Sequence, residues 1–143
     1  MSEQDNIRSV EQVFDDINTK NLGGSANLYI PDYRFEGPGA PGPITYEQSL
    51  AYIQGFVTAF PDLHFTLKDW IADGDRVAVT WVATGTHNGP LPTPSGATIP
   101  PTGKKGVVPG CTTYVFKGDK IAGAANYWDM ASLLMQLGLM PGM

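Results

Sequence analysis

Leu63-His64-Phe65-Thr66-Leu67-Lys68-Asp69-Trp70-Ile71-Ala72-Asp73-Gly74-Asp75-Arg76-Val77-Ala78-Val79-Thr80-Trp81 is the stretch in which the chain changes period from the helical 3.6 to two. Leu63, Phe65, Leu67 and Ile71 fall on one face of the first half, and Val77, Val79 and Trp81 alternate in the second. Asp73-Gly74 between them is a hairpin signal, because glycine supplies the positive φ that a tight connection needs. The two halves are therefore expected to pair as antiparallel strands.

Outward from that hairpin the same logic repeats. A third strand is expected over about 105–117, with Thr112, Tyr114 and Phe116 alternating against Cys111, Thr113 and Val115. Gly118-Asp119 then turns into a fourth strand, about 120–128. Upstream, Ile7, Val10, Phe14 and Ile17 recur at helical spacing and predict a helix over about 3–20. Thr45 and Gln48 have the spacing of a capping box, Leu50, Ile53, Val57 and Phe60 make one stripe, and Pro61 ends it, which predicts a second helix over about 45–60. Tyr33 and Phe35 alternate in a short strand, Tyr29 to Glu36, before the loop Gly37 to Pro43. Asp129 precedes a short apolar run, Leu133, Leu134 and Leu137, that Gly138 closes. Asn88 to Gly103, rich in Pro, Gly and Thr, is long for a connection and reads as a flap or a partner contact.

Helices followed by long strands argue for an α+β fold, a cone-shaped curved antiparallel sheet wrapped around the N-terminal helices and enclosing a pocket. With 143 residues, 42% of them hydrophobic, and no linker or repeat, residues 1–143 are expected to form a single domain. Fourteen acidic against nine basic residues leave a net charge of -5, which repels phosphate backbones and anionic lipids, so neither nucleic acid nor membrane is an expected partner. Cys111 has no partner for a disulfide, and two histidines, His64 and His87, are too few for a zinc cluster. The polar, acidic start carries no secretory pattern, and a cytoplasmic location is the expectation.

Several runs carry a resemblance: Phe60-Pro61-Asp62-Leu63-His64-Phe65, Gly74 to Val79, Gly85-Thr86-His87-Asn88-Gly89, Pro100 to Lys104, Tyr127-Trp128-Asp129 and Gln136-Leu137-Gly138. In that order, over about residues 30–139, they resemble the SnoaL-like polyketide cyclases, of the nuclear transport factor 2-like superfold. The resemblance implies a cofactor-independent intramolecular aldol condensation that closes an activated polyketide ester. It places the acid/base carboxylate on Asp129, and His87 at the pocket mouth beside a substrate oxygen. Trp128 of the Trp128-Asp129 motif, Glu36, near where ketosteroid isomerase-like members of the superfold keep a carboxylate, and Tyr114, Trp81 and Phe56, readable as an aromatic cage, are the candidate contacts to a small apolar, carbonyl-containing molecule. It also implies a homodimer.

The residues themselves leave alternatives open. Asp129 shares strand parity with Gly123, Ala125 and Tyr127, so in the concavity it has small neighbours, yet an Asp before an apolar helical run is equally a helix N-cap. His87 reads also as a turn histidine, and His64 as solvent-facing. Tyr114, Trp81, Trp70 and Phe56 read as core as well as cage. Met130, Met135, Met140 and Met143 supply a soft apolar surface or core filling. Two departures from the family matter: Gly123-Ala124-Ala125-Asn126 holds no carboxylate, and Lys105 to Lys117 holds no histidine. The competing readings are a non-catalytic binder of apolar molecules and an epoxide-hydrolase-like enzyme, for which Asp62, Arg34, Arg76 and Asp129 supply the residue types.

Overall fold

The computed structural model describes residues 2–93 and 96–139; Met140 and Met143 of the tail, and Pro94 and Ser95 of the long loop, lie outside the described residues. α1 (Glu3–Asn18) opens with a capping box between Ser2 and Asp5 and stops two residues earlier than its pattern predicts. The reason is local: Lys20 takes a left-handed φ of 64°, which no continuing helix allows. A single 3-10 turn (Ala26–Leu28) leads into β1 (Tyr29–Glu36). α2 (Tyr46–Ala59) begins at the predicted Thr45 and Gln48 box, in which each side chain satisfies the other residue's backbone N–H.

β2 (His64–Asp73) and β3 (Arg76–Thr86) form the hairpin, turned by Gly74 at φ 61°. β4 (Leu91–Pro92) and β5 (Thr98–Ile99) make a small separate ribbon in the long loop. β6 (Lys105–Lys117) and β7 (Lys120–Trp128) pair through a turn at Gly118, and α3 (Met130–Gln136) follows. The main sheet runs β1-β7-β6-β3-β2. The long strands are antiparallel as expected, but β1 joins β7 in parallel, so the sheet is mixed. β1 enters from a distant part of the chain, and no hairpin forces its direction. β1 and β2 remain as separate edges, so the sheet is curved but not closed.

One expected side chain lies on the other face. Leu67 pairs Trp81 while Trp70 pairs Val79, three residues on β2 against two on β3, and the extra residue reverses the alternation. Ile71 is therefore 72% exposed, and Trp70 and Ala72 pack on the core instead. α1 lies over β2 and β3, α2 over β1, and α3 against β6, all closing the concave face. Val10 and Phe14 meet Phe65, Val77, Val79, Trp81, Tyr114, Phe116 and Ile121 there in one continuous core. Each such side chain contributes about 1.5–3 kcal/mol when removed from water. Gly110 is required by this packing, because a Cβ there would overlap the Trp81 indole.

Candidate functional site

After the bulge between its two ends, β7 points Ala124, Asn126 and Trp128 inward, while Tyr127 is 61% exposed on the convex face. Between these strands and α1 and α2 lie two adjoining chambers. The first, about 100 Å³, is lined by Asp16, Tyr29, Tyr33, Tyr46, Tyr114, Thr112 and Asn126 among others. The second, about 70 Å³, lies between Phe56, Phe60, Trp81, Val108, Asn126 and Trp128. Tyr52, Ile53, Phe65 and Asn126 line both chambers. A third and larger chamber, about 400 Å³, adjoins the second through Tyr52, Phe56, Trp128 and Leu133. Its outer wall is the β4–β5 ribbon, with Leu91, Pro92 and Ile99, so the long loop covers this chain's own cavity.

The polar groups in this apolar space have forced orientations. Trp81 Nε1 can only donate, and it donates to Thr112 Oγ1 at 2.9 Å. The single Thr112 hydroxyl hydrogen then goes to Asn126 Oδ1 at 2.6 Å. With its oxygen committed, Asn126 has its amide nitrogen left to donate. Asn126 lines both inner chambers and the shallow cleft at Glu36. Tyr52 donates its hydroxyl to the Pro38 carbonyl at 2.7 Å. Burial pushes the Tyr52 phenol up to about 12, against the opposing pull of the Trp128 indole N–H. Tyr29, Tyr33 and Tyr114 are pushed higher still, first by burial and then by charged-form repulsion from neighbours: Tyr46 and Asp16 on Tyr29, Tyr29 and Tyr46 on Tyr33, and Tyr29 and Tyr33 on Tyr114. These phenols stay neutral near pH 7 and serve as donors, not bases.

Asp16 is the one buried carboxylate among the described residues, 8% exposed. It accepts from the Ser25 hydroxyl and, at 3.0 Å, from Gln12 Nε2. The segment that returns from α1 covers it: Asn21, Leu22, Gly23 and Ser25 share the wall of its chamber.

The residues named by resemblance fall in several places. Asp129 does not face the concavity: it is exposed, follows the outward parity of Tyr127, and accepts from Ser132 N at 3.1 Å as the N-cap of α3. His87 is fully buried but lines none of these chambers. It pins the long loop instead, its Nδ1 accepting from Thr102 N at 3.2 Å, its ring 5.4 Å from that of Phe60. Burial holds the imidazole below its ordinary pKa, with the Gly89 backbone opposing. Nδ1 also lies 3.0 Å from the Thr102 hydroxyl, while the buried Nε2 has no hydrogen-bond partner among the described residues. Glu36 is exposed and touches only the shallow cleft. Trp128, Phe56, Trp81 and Tyr114 do line the chambers, with Trp128 edge-on to Phe56 at 5.5 Å, whereas Trp70 packs as core and lines none of them.

The hydrolase constellation is not assembled. Asp62 is bound to Thr86 at one end of β3, and Arg76 begins its other end, ten residues or roughly 33 Å away. Arg34 donates to its neighbour's carbonyl, Tyr33 O, on the outward face of β1. Among the described residues no group of three metal-ligating side chains occurs, and no helix is long and apolar enough to cross a membrane.

Asp16, Thr112, Asn126 and Tyr52 were not singled out by the residues' pattern. Thr112 and Asn126 had a usable signal, since both share strand parity with inward aromatics and stand opposite each other across β6 and β7. Asp16 had none, because it lies well off the stripe Ile7, Val10, Phe14 and Ile17 and is buried by the returning turn.

The sequence profile of the SnoaL-like polyketide cyclases matches residues 8–137. No curated protein sequence matches the chain. Among solved structures, AclR of Streptomyces galilaeus, described as a candidate hydroxylase, superposes with a TM-score of 0.84 at 24% identity, covering 99% of this chain and 86% of its own. IdmH of Streptomyces antibioticus, a candidate polyketide cyclase, gives 0.79 at 26% identity over 93% of this chain and 98% of its own. A nuclear transport factor 2-like protein of unknown function from Burkholderia pseudomallei gives 0.75 at 17% identity, over 96% and 98%.

Proposed function

The chain belongs to the SnoaL-like polyketide cyclase family, and from that membership we propose that it closes or isomerises a small apolar molecule with several carbonyl groups, without a cofactor. One observation carries this reading. Asn126 stands between the two inner chambers with its amide oxygen held by Thr112, so its N–H groups are the donors offered to a bound carbonyl oxygen. A donor fixed before the reaction stabilises the charge that gathers on that oxygen as an enolate forms.

Shape bounds the substrate. Each inner chamber is smaller than the roughly 150 Å³ apolar cavity that admits benzene, whereas the outer one, about 400 Å³, is larger. An elongated molecule fits, its slim carbonyl-bearing end inside and its bulkier end under the β4–β5 ribbon. The description of IdmH as a candidate cyclase agrees with this class of substrate.

Ring closure of linear poly-β-keto thioesters, followed by mass spectrometry and ultraviolet absorbance, tests the reading. Wild type is expected to accelerate closure, and Asn126→Ala to lose about 100-fold, the usual cost of one oxyanion donor. The non-catalytic alternative is favoured by the neutral Thr112 and Asn126 pair, which offers no proton of its own. Binding of the thioesters with no acceleration of closure decides for it. A second copy of this chain is the proposed cover for the convex face around Val107 and Tyr127, 46% and 61% exposed. A monomer in sedimentation at micromolar concentration removes that proposal.

A further inference from the structure

The donor described above holds the oxygen that gathers charge, but an enolate also needs a base. We propose that Asp16 is that base and that the substrate is a 1,3-dicarbonyl compound, an inference that rests on the cyclase reading. Asp16 is buried, lines the same chamber as Asn126, and has no Lys or Arg paired with it among the described residues. Ser25 and Gln12 take one hydrogen bond each, which leaves both carboxylate oxygens with a free lone pair. The other candidates fail on position or chemistry: Asp129 and Glu36 are exposed, His87 is outside the chambers, and the tyrosines are neutral. A carboxylate is a weak base, so the hydrogen it removes must be an acidic one, as on a carbon between two carbonyl groups.

The step balances. Asp16 takes the proton from that carbon, and the C–H electron pair moves into the adjacent carbonyl, whose oxygen becomes an enolate held by Asn126. The enolate carbon attacks a second carbonyl of the same molecule, and the alkoxide formed takes the proton back from Asp16. One C–H bond breaks, one C–C and one O–H bond form, and nothing is oxidised, reduced or expelled.

The test is exchange of the C2 hydrogen of ethyl 2-methylacetoacetate in D2O, read by proton NMR. Wild type is expected to accelerate exchange at least tenfold over buffer, Asp129→Asn to match it, and Asp16→Asn to fall to the buffer rate. In Asp16→Ala, added formate is expected to restore exchange in proportion to its concentration, which a purely structural aspartate would not permit. If Asp16→Asn exchanges as fast as wild type, this inference is overturned and the cyclase reading stands. If wild type does not exceed buffer, the cyclase reading itself falls. Should the Asp16 variants not fold, wild-type carboxyl-carbon NMR with 2,2-dimethylcyclohexane-1,3-dione, which has no acidic hydrogen between its carbonyls, decides. The Asp16 signal is expected to shift while that of Asp129 stays in place, and the reverse pattern overturns the inference.

Discussion

Two aspartates sit at helix ends in this molecule, and their surroundings separate what each can do. Asp129 stands before α3, where unpaired backbone N–H groups point at it, and it spends its carboxylate on Ser132 N in contact with solvent. Asp16 stands in the last turn of α1, where the backbone offers carbonyls and no N–H groups, so its oxygens are met by the side chains of Ser25 and Gln12. The first is satisfied by its own helix and faces out. The second is covered by the turn that follows it and faces a chamber. A motif at a strand end thus locates an acid in the sequence, but only the path of the returning chain decides which acid is inside.

The inside of that comparison is tested hardest at Thr112, whose hydroxyl joins Trp81 to Asn126. Thr112→Val keeps the shape but leaves the buried Trp81 N–H without an acceptor, which costs about 1–3 kcal/mol. It also frees the Asn126 amide to turn, so turnover is expected to fall with stability. Chemical denaturation measures the first effect and the ring-closure assay the second. If the variant retains full stability, the indole is satisfied elsewhere and the forced orientation of Asn126 is wrong.

Next in size is a pH effect at a site that is buried yet outside the chambers. His87 is held neutral by burial, its folded pKa lying below the ordinary 6.5. The unfolded chain therefore binds the proton more readily, so the stability this residue contributes is present above about pH 6.5 and is lost as pH falls through the folded value. Melting temperatures from pH 7.5 to 5 are expected to drop more in wild type than in His87→Gln. Equal slopes would show that burial does not hold this ring neutral in the folded chain.

Sequence pattern carried the framework well where the period was unbroken and a glycine marked the turn, as at Gly74 and Gly118. The Thr45 and Gln48 box was legible for the same local reason. Ile71 was not, because an extra residue before Trp70 leaves no trace in composition. The direction of β1 was hidden too, since pairing with β7 is set by contacts far apart in the chain. At the site, the aromatics that line the chambers were legible as inward positions on strands and helix, while the burial of Asp16 depends on Ser25, nine residues on. Periodicity within one helix does not carry such information.

The smallest effect belongs to the outer aspartate. Asp129→Ala removes one N-cap hydrogen bond from a seven-residue helix, which costs about 1 kcal/mol. For a domain near this size that lowers the melting temperature by about 2–4 °C. Because α3 packs against β6 and carries Leu133 into the wall of two chambers, fraying its first turn loosens that wall without removing a reacting group. KM is therefore expected to rise modestly while kcat holds, with Asp129→Asn restoring both, since an asparagine caps as well as an aspartate does. A loss of kcat in Asp129→Asn would reverse the comparison, because that substitution keeps the cap and removes only the acid.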